Sequence, residues 1–350
     1  MELKKIEFSD ARINTFYKSI WGNNSLDLSL RKKRTSCEFN LKNDSIEQTL
    51  RDIFEIENKK LFEEKLDQAV SGDGKEENKI INMRSSSLCS LLFFYNVTKS
   101  NKLQLELNGD VCIFEESLFE FKNEVIRNPS NMDVVLLGHN NNGEKVILFL
   151  ESKFGEYYFD ITKLNQNYDV PYSYYQKYQT LYEKIEKDLS IKSDFEMKKK
   201  SSGKMFEIYP ERNEHYIGGI KQMISHYIGV ENFAKGEYVN ANNSRMNIIS
   251  KFIKTKYSEQ ELLDKLRDDS EIYLAEIVFD KGIGDIKISE NVTYLSDYEN
   301  LHKELSMILT KDNKIQNVHI VNDLLHYSDY RQWNHKIENK IIEYYFGQNN

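Results

Sequence analysis

Two acidic residues and one lysine have the types and the spacing needed for metal-assisted hydrolysis. Glu151 and Lys153 end the run KVILFLESKF, and Asp133 opens the preceding run, MDVVLL. Strand side chains alternate between faces, so Glu151 and Lys153 share one face of the predicted strand. Carboxylate oxygens suit Mg²⁺, which lowers the pKa of a bound water and neutralises phosphodiester charge. A nearby ammonium can orient that water and stabilise the transition state.

A buried hairpin is expected to position these residues. The run at 145–154 is apolar on both faces before its charged end, which is typical of a central strand covered on both sides. HNNNGE at 139–144 predicts the hairpin turn, because its residues accept positive φ. In an antiparallel hairpin the start of one strand lies beside the end of the next. We therefore expect Asp133 to lie near Glu151 and Lys153.

A Glu-x-Lys triplet by itself carries little information. The chain has others at 57–59, 63–65, 120–122 and 338–340, and most of these lie in polar helical or loop stretches. A strand-end salt bridge without a substrate is the alternative interpretation of Glu151 and Lys153. The doubly buried strand, the hairpin and the position of Asp133 together favour a functional site.

Asp133, Glu151, Ser152 and Lys153, on a helix-strand-hairpin core over about 84–154, resemble the PD-(D/E)XK nuclease superfamily. The resemblance implies an α/β, restriction-endonuclease-like fold with a mixed central sheet flanked by helices. It further implies that Asp133 and Glu151 hold Mg²⁺ or Mn²⁺, that the Ser152 carbonyl helps, and that Lys153 assists the attacking water. The sequence departs from the pattern at Pro129, which does not directly precede Asp133.

Further site residues follow from the same resemblance. Many members add an acidic residue, for which Glu120 is the candidate and Glu116 and Glu124 are rivals. Some place a glutamine and a later tyrosine on a flanking helix, which suggests Gln222 as an accessory residue. Here His226 occupies the matching tyrosine position, and an ordinary helix-surface role for Gln222 stays open. The serines at 85–87, which open a predicted buried helix, also resemble a bacterial group of these proteins.

The resemblance implies a divalent-metal-dependent nuclease that hydrolyses DNA, in restriction or defence, with RNA as an alternative substrate. The competing hypothesis is an inactive nuclease-fold module that binds nucleic acid or a protein partner. A third is an unrelated α/β interaction protein with a fortuitous salt bridge. A homodimer is compatible with all three.

Composition limits the class of protein and the cellular location that we expect for the chain. The 350 residues are 39% hydrophobic, which predicts a folded protein with a sizeable core. The formal net charge of −8 argues mildly against nonspecific coating of nucleic acid. We see no signal peptide or membrane span, and we interpret Cys37, Cys89 and Cys112 as reduced core thiols of a cytoplasmic protein. No histidine or cysteine pairing of zinc type is present.

The predicted organisation is a helical N-terminal extension at 1–75 and a nuclease-like domain at 80–350 with a tyrosine-rich insertion at about 156–205. The basic runs at 31–34 and 198–200 are interpreted as solvated charge, with a DNA-binding groove as the alternative. The insertion's tyrosines suit either base stacking or core packing. They are Tyr172, Tyr174, Tyr175, Tyr178 and Tyr182.

Overall fold

The computed structural model describes most of the two predicted regions. The described residues are 15, 17–20, 30–32, 37–39, 41–43, 45–70, 80–82, 85–122, 131–159, 170–171, 180–181, 183–185, 187–189, 198–200, 203–206, 217–236 and 264–347. The five tyrosines of the insertion, Pro129 and Glu124 lie outside these ranges, as does the side chain of Cys37.

Seven α-helices and one 3₁₀ helix, Tyr327–Gln332, lie with both ends inside the described ranges. The α-helices are α1 Ile46–Ile53, α2 Lys59–Val70, α3 Ser86–Phe94, α4 Glu156–Phe159, α5 Ile217–Ala234, α6 Tyr294–Asp312 and α7 Asn339–Phe346. Serines cap α1 and α3, because the Ser45 and Ser85 side chains accept hydrogen bonds from backbone N–H groups of the first turns.

Fourteen β-strands also lie in the described part of the chain. They are β1 Leu30–Lys32, β2 Cys37–Phe39, β3 Leu103–Leu107, β4 Asp110–Lys122, β5 Asn131–Asn140, β6 Lys145–Lys153, β7 Val170–Pro171, β8 Lys198–Lys200, β9 Gly203–Phe206, β10 Ser270–Val278, β11 Lys287–Ser289, β12 Val292–Thr293, β13 Val318–Ile320 and β14 Leu325–His326.

A mixed seven-stranded sheet forms the centre of the molecule. Its order is β13-β10-β6-β5-β4-β3, and β14 also pairs with β10. The strands from β3 to β6 are antiparallel neighbours, whereas β6, β10 and β13 run parallel. The chain is therefore α/β with a mixed central sheet flanked by helices, as the sequence predicts.

Two tight turns fix the register of the antiparallel half. Asn108 and Gly109, both at positive φ, form the two-residue turn that pairs Leu107 with Asp110. In the β5–β6 hairpin, the Asn140 side chain accepts hydrogen bonds from the N–H groups of Asn142 and Glu144, each at 3.0 Å. The hairpin turn predicted at 139–144 is confirmed.

The sheet separates two hydrophobic cores. Helix α3, the N-terminal helices and α7 cover one face, and the aromatic rings of Phe54, Phe62, Phe93 and Tyr345 lie in this core. Helices α5 and α6 cover the other face through apolar side chains that pack on β5, β6 and β10. Strand β6 is buried along its whole length after its first residue, as expected for a central strand.

Three sequence-based expectations need correction. The runs VCIFEE and LFEFKNEV indicate two successive strands, but they form the single strand β4, whose pairing with β5 continues through a bulge between Phe114 and Glu116. The polar residues at 192–204 indicate an exposed loop, but this range contains β8, whose backbone pairs with β9. The predicted helical extension also contains the β1–β2 ribbon, so Arg31 and Lys32 lie on a strand. The buried helix expected after the serines at 85–87 is present as α3.

Other expectations agree with the described residues. Cys89 and Cys112 are free and buried, as core thiols should be. Within the described ranges, no helix combines the length and the apolar character that crossing a membrane requires.

Candidate active site

Strand pairing brings Asp133 and Glu151 to neighbouring positions. The β5–β6 ladder runs from His139↔Lys145 to Val134↔Leu150, so the next step places Asp133 opposite Glu151. The Asp133 carboxyl takes the place of a backbone acceptor there, because its Oδ2 accepts the N–H of Ser152 at 2.9 Å. Its Oδ1 lies 3.4 Å from the Ser87 hydroxyl at the start of α3.

Glu151, Lys153 and Gln222 are joined directly by hydrogen bonds. The Lys153 ammonium donates to Oε1 of Glu151 at 2.6 Å and also to the side-chain oxygen of Gln222. The amide nitrogen of Gln222 donates to the same Oε1 at 3.0 Å. Glu151 and Lys153 are only 4% and 2% exposed, so this contact is a buried ion pair and not a solvated face. Helix α5 thus closes the charged end of β6.

His226 adds a second contact to Glu151. It lies one helical turn after Gln222 on α5, is fully buried, and places its Nε2 3.1 Å from Oε2 of Glu151. Burial alone raises the pKa of the Glu151 carboxyl, but Lys153 and His226 outweigh burial and bring that pKa down to about 2. Glu151 is therefore held as a carboxylate.

The carboxyl of Asp133 behaves in the opposite way. Burial raises its pKa well above the usual value, and the negative charges of Glu151 and Glu120 raise it further. Lys153 and the Ser152 N–H lower the pKa of Asp133, but they do not outweigh these effects. The three acidic groups are thus close enough to interact. Asp133 has too little positive charge around it to offset burial and its acidic neighbours.

Glu120 has an unusual backbone conformation beside Asp133. Pairing of Phe119 with Val134 and of Phe121 with Met132 places Glu120 opposite Asp133. Its side chain is buried and its φ is +51°, a left-handed conformation that is strained for a residue with a Cβ. Such strained residues cluster at functional sites. Its rival Glu116 is exposed, whereas Glu124 lies outside the described residues.

Ser152 contributes its backbone to the site and its side chain to the opposite face. Its N–H holds Asp133, while its hydroxyl lies 2.9 Å from the Tyr327 hydroxyl and 3.3 Å from the backbone oxygen of Ser86. This opposite orientation follows from strand alternation between Glu151 and Lys153. The hydroxyl thus anchors α3 and the 3₁₀ helix to β6.

A second buried glutamate, Glu276, lies beside the site and was not singled out from the sequence. Strand pairing places Glu276 of β10 opposite Glu151. Its Oε2 accepts the Tyr298 hydroxyl at 2.7 Å and contacts Nδ1 of His302 at 2.9 Å. A lone carboxylate inside the apolar run YLAEIVF is the signal that would have found it, since the same signal marks Glu151.

The donor groups of this site fit a small divalent cation. Among the residues that the structure describes, no three His, Cys, Asp or Glu side chains form a preassembled metal cluster. Mg²⁺ commonly takes only one or two carboxylates, with water and substrate oxygens completing its shell. Asp133 and Glu151 provide two carboxyl groups on adjacent strands. A cation bound between them would lower the raised pKa of Asp133 and so favour its ionised form.

Comparison of the chain with protein-family models, curated proteins and solved structures finds no match.

Proposed function

We propose that the chain is a divalent-metal-dependent nuclease of the PD-(D/E)XK type that hydrolyses phosphodiester bonds of DNA. One observation carries the proposal: a buried Glu151–Lys153 pair lies beside Asp133, at the charged end of an otherwise apolar central strand. Burying such charges is costly, and perturbed carboxyl groups with opposite pKa shifts concentrate at catalytic sites.

Each residue of the site has a role in this reaction. Asp133 and Glu151 would hold Mg²⁺ or Mn²⁺, assisted by the Ser152 carbonyl and with Glu120 as an additional acidic group. The bound ion would lower the pKa of the attacking water and neutralise phosphodiester charge. Lys153 would orient that water and stabilise the developing negative charge, because its ammonium is already fixed beside Glu151. Gln222 would keep both side chains in place.

An inactive nuclease-fold module that binds nucleic acid or a protein partner is the second candidate. The net charge of −8 favours it mildly, because nonspecific binding of nucleic acid usually requires a basic protein. This candidate predicts binding without cleavage.

Incubation of the purified protein with plasmid, single-stranded DNA and RNA, in Mg²⁺, Mn²⁺ or EDTA, tests the proposal. We expect cleavage of DNA that EDTA abolishes. Glu151→Gln should reduce its rate by about 10²-fold or more, because the amide keeps the shape of the side chain but removes the charge that would hold the ion. Circular dichroism of the variant checks that it is folded, since the change also leaves the Lys153 ammonium without its carboxylate partner. Glu106→Gln, at an exposed position of β3, is the matched control and should cleave normally. No metal-dependent cleavage of any of these substrates would reject the proposal.

A further inference from the structure

Two adjacent strands each carry a buried glutamate on the face of the sheet that carries Lys153. Glu151 precedes Lys153 by two residues on β6 and accepts its hydrogen bond at 2.6 Å. Parallel pairing places Glu276 of β10 opposite Glu151. Directly paired residues of neighbouring strands carry their side chains on the same face of a sheet. Glu276 therefore shares the face of Glu151 and Lys153.

The Glu276 carboxyl is held in place through one of its two oxygens. Its Oε2 accepts the Tyr298 hydroxyl at 2.7 Å and contacts Nδ1 of His302 at 2.9 Å. Both partners lie on α6, and the other ring nitrogen of His302 lies 3.3 Å from the backbone oxygen of Val321. Helix α6 thus fixes the orientation of a carboxyl that belongs to β10.

The other oxygen of Glu276 has no such contact. Oε1 is buried and accepts no hydrogen bond from the described residues, and the whole residue is only 1% exposed. Burial raises the pKa of the Glu276 carboxyl, but the contact with His302 and the charge of Lys153 outweigh burial and hold that pKa below its usual value. A buried carboxylate oxygen without a donor is costly, so this atom calls for a physical explanation.

The proposed reaction makes a demand on Lys153 that Glu151 cannot meet alone. In the described structure the ammonium donates a hydrogen bond to Oε1 of Glu151. A metal ion held by Glu151 would compete for the same negative charge and would repel the ammonium. A buried ammonium that loses its carboxylate is strongly destabilised unless another group compensates for the loss.

We propose that Glu276 is a positioning residue whose Oε1 accepts the Lys153 ammonium when Glu151 is engaged by the ion. The inference rests on the proposed nuclease function and adds a residue that controls Lys153. The ammonium then stays charged and inside the site, where it can orient the attacking water. Because α6 holds Oε2, the Glu276 carboxylate does not have to move for this exchange.

The structure of Glu151→Gln, without metal or nucleic acid, tests the exchange directly. The amide removes the charge that pairs with Lys153, as engagement by an ion would. In a crystal structure of the variant, Nζ of Lys153 should lie within about 3.2 Å of Oε1 of Glu276. An ammonium beyond hydrogen-bond distance of this oxygen would overturn the inference. A variant that does not fold would also overturn it, because Glu276 would then not replace the lost carboxylate.

Thermal unfolding in EDTA gives the energetic counterpart. Glu276→Gln is introduced into wild type and into Glu151→Gln, and it should lower the melting temperature by about 2 °C or more further in the second background. Tyr298→Phe is the matched control, because it removes a contact of Glu276 but keeps the charge, and it should cost the same in both backgrounds. Equal shifts for Glu276→Gln would indicate a purely structural glutamate and overturn the inference.

DNA cleavage by wild type is measured separately, so that the two proposals can fail independently. Cleavage together with equal Glu276→Gln shifts rejects the role of Glu276 and leaves the nuclease proposal standing. Transfer of Lys153 to Glu276 without metal-dependent cleavage of any substrate supports the contact and rejects the nuclease proposal.

Discussion

Two buried glutamates on opposite sides of the sheet differ in the state that their surroundings favour. Glu151 meets a lysine, a glutamine and a histidine, and the pKa of its carboxyl falls to about 2. Glu338, before α7, accepts the Tyr95 hydroxyl and the Asn96 amide, and burial raises the pKa of its carboxyl to about 7. Burial acts in the same direction on both groups, so nearby positive charge accounts for the difference.

The two carboxyls therefore differ in how readily they take up a proton. A buried carboxyl with neutral partners, such as Glu338, has a raised pKa and needs no buried cation beside it. Keeping Glu151 ionised requires burying Lys153 as well, which is costly in a low-dielectric interior. That cost is what suggests a chemical use for the Glu151 cluster.

Removal of Lys153 is the largest expected perturbation of stability. Lys153→Ala leaves Glu151 buried without its ammonium and should lower the free energy of unfolding by about 3–5 kcal/mol. Denaturant unfolding measures the effect. Lys145→Ala, at the exposed start of the same strand, is the control and should change stability by less than about 0.5 kcal/mol. Equal, small effects for the two variants would show that the pair is not effectively buried.

The Glu338 region should reveal its protonation through the pH dependence of stability. Burial raises the pKa of Glu338 from 4.5 to about 7. Between these values the unfolded chain releases the proton and the folded chain keeps it, so stability falls as pH rises. Allowing for solvent screening, the loss is about 2 kcal/mol. Glu338→Gln should remove this loss, as urea unfolding at pH 4.5 and 7.5 can measure.

His335, near Glu338 in the chain, provides the opposing control. Burial lowers the pKa of His335 from 6.5 to about 4. Its neutral form contributes stability that is present above pH 6.5 and falls by about 3 kcal/mol as pH drops towards 4. Relative to wild type, His335→Asn should therefore become more stable as pH falls, whereas Glu338→Gln should become more stable as pH rises towards neutral. If the free energy of unfolding changed with pH in the same way in both variants, the opposite pKa shifts of His335 and Glu338 would be contradicted.

Loss of Gln222 should cost less stability than loss of Lys153. Gln222→Ala removes hydrogen bonds to the Glu151 carboxylate and the Lys153 ammonium, but leaves that pair intact. We expect a loss of about 1.5–3 kcal/mol, typical of hydrogen bonds to charged groups. Gln332→Ala, at an exposed position, is the control. A Gln222→Ala variant as stable as this control would place the amide outside the cluster in solution.

The sequence predicts the elements around Asp133, Glu151 and Lys153 because their signals are local. Strand alternation, the apolar run of β6 and the turn residues at 139–144 together fix the hairpin and its register. Continuity of β4 was missed because a bulge leaves no clear mark in the residue pattern. The β8–β9 pairing was missed because composition does not show where a lysine-rich backbone finds its partners.

The contacts across the site could not be predicted in the same way. His226 meets Glu151 only because α5 packs on the end of β6, a contact between residues far apart in the chain. Glu276 was overlooked although its pattern resembles that of Glu151, because no hairpin partner or nearby lysine in its own strand drew attention to it. Metal binding by the predicted residues stays a prediction.

The effect of divalent metal on the thermal stability of Asp133→Asn tests the central claim most directly. The raised pKa of Asp133 favours its protonated form without metal, and asparagine imitates that form, so the variant should match wild type within about 1 kcal/mol in EDTA. If Asp133 and Glu151 hold the ion, Mg²⁺ or Mn²⁺ should raise the melting temperature of wild type and not of the variant. Equal metal-induced shifts in both proteins would contradict the proposed site.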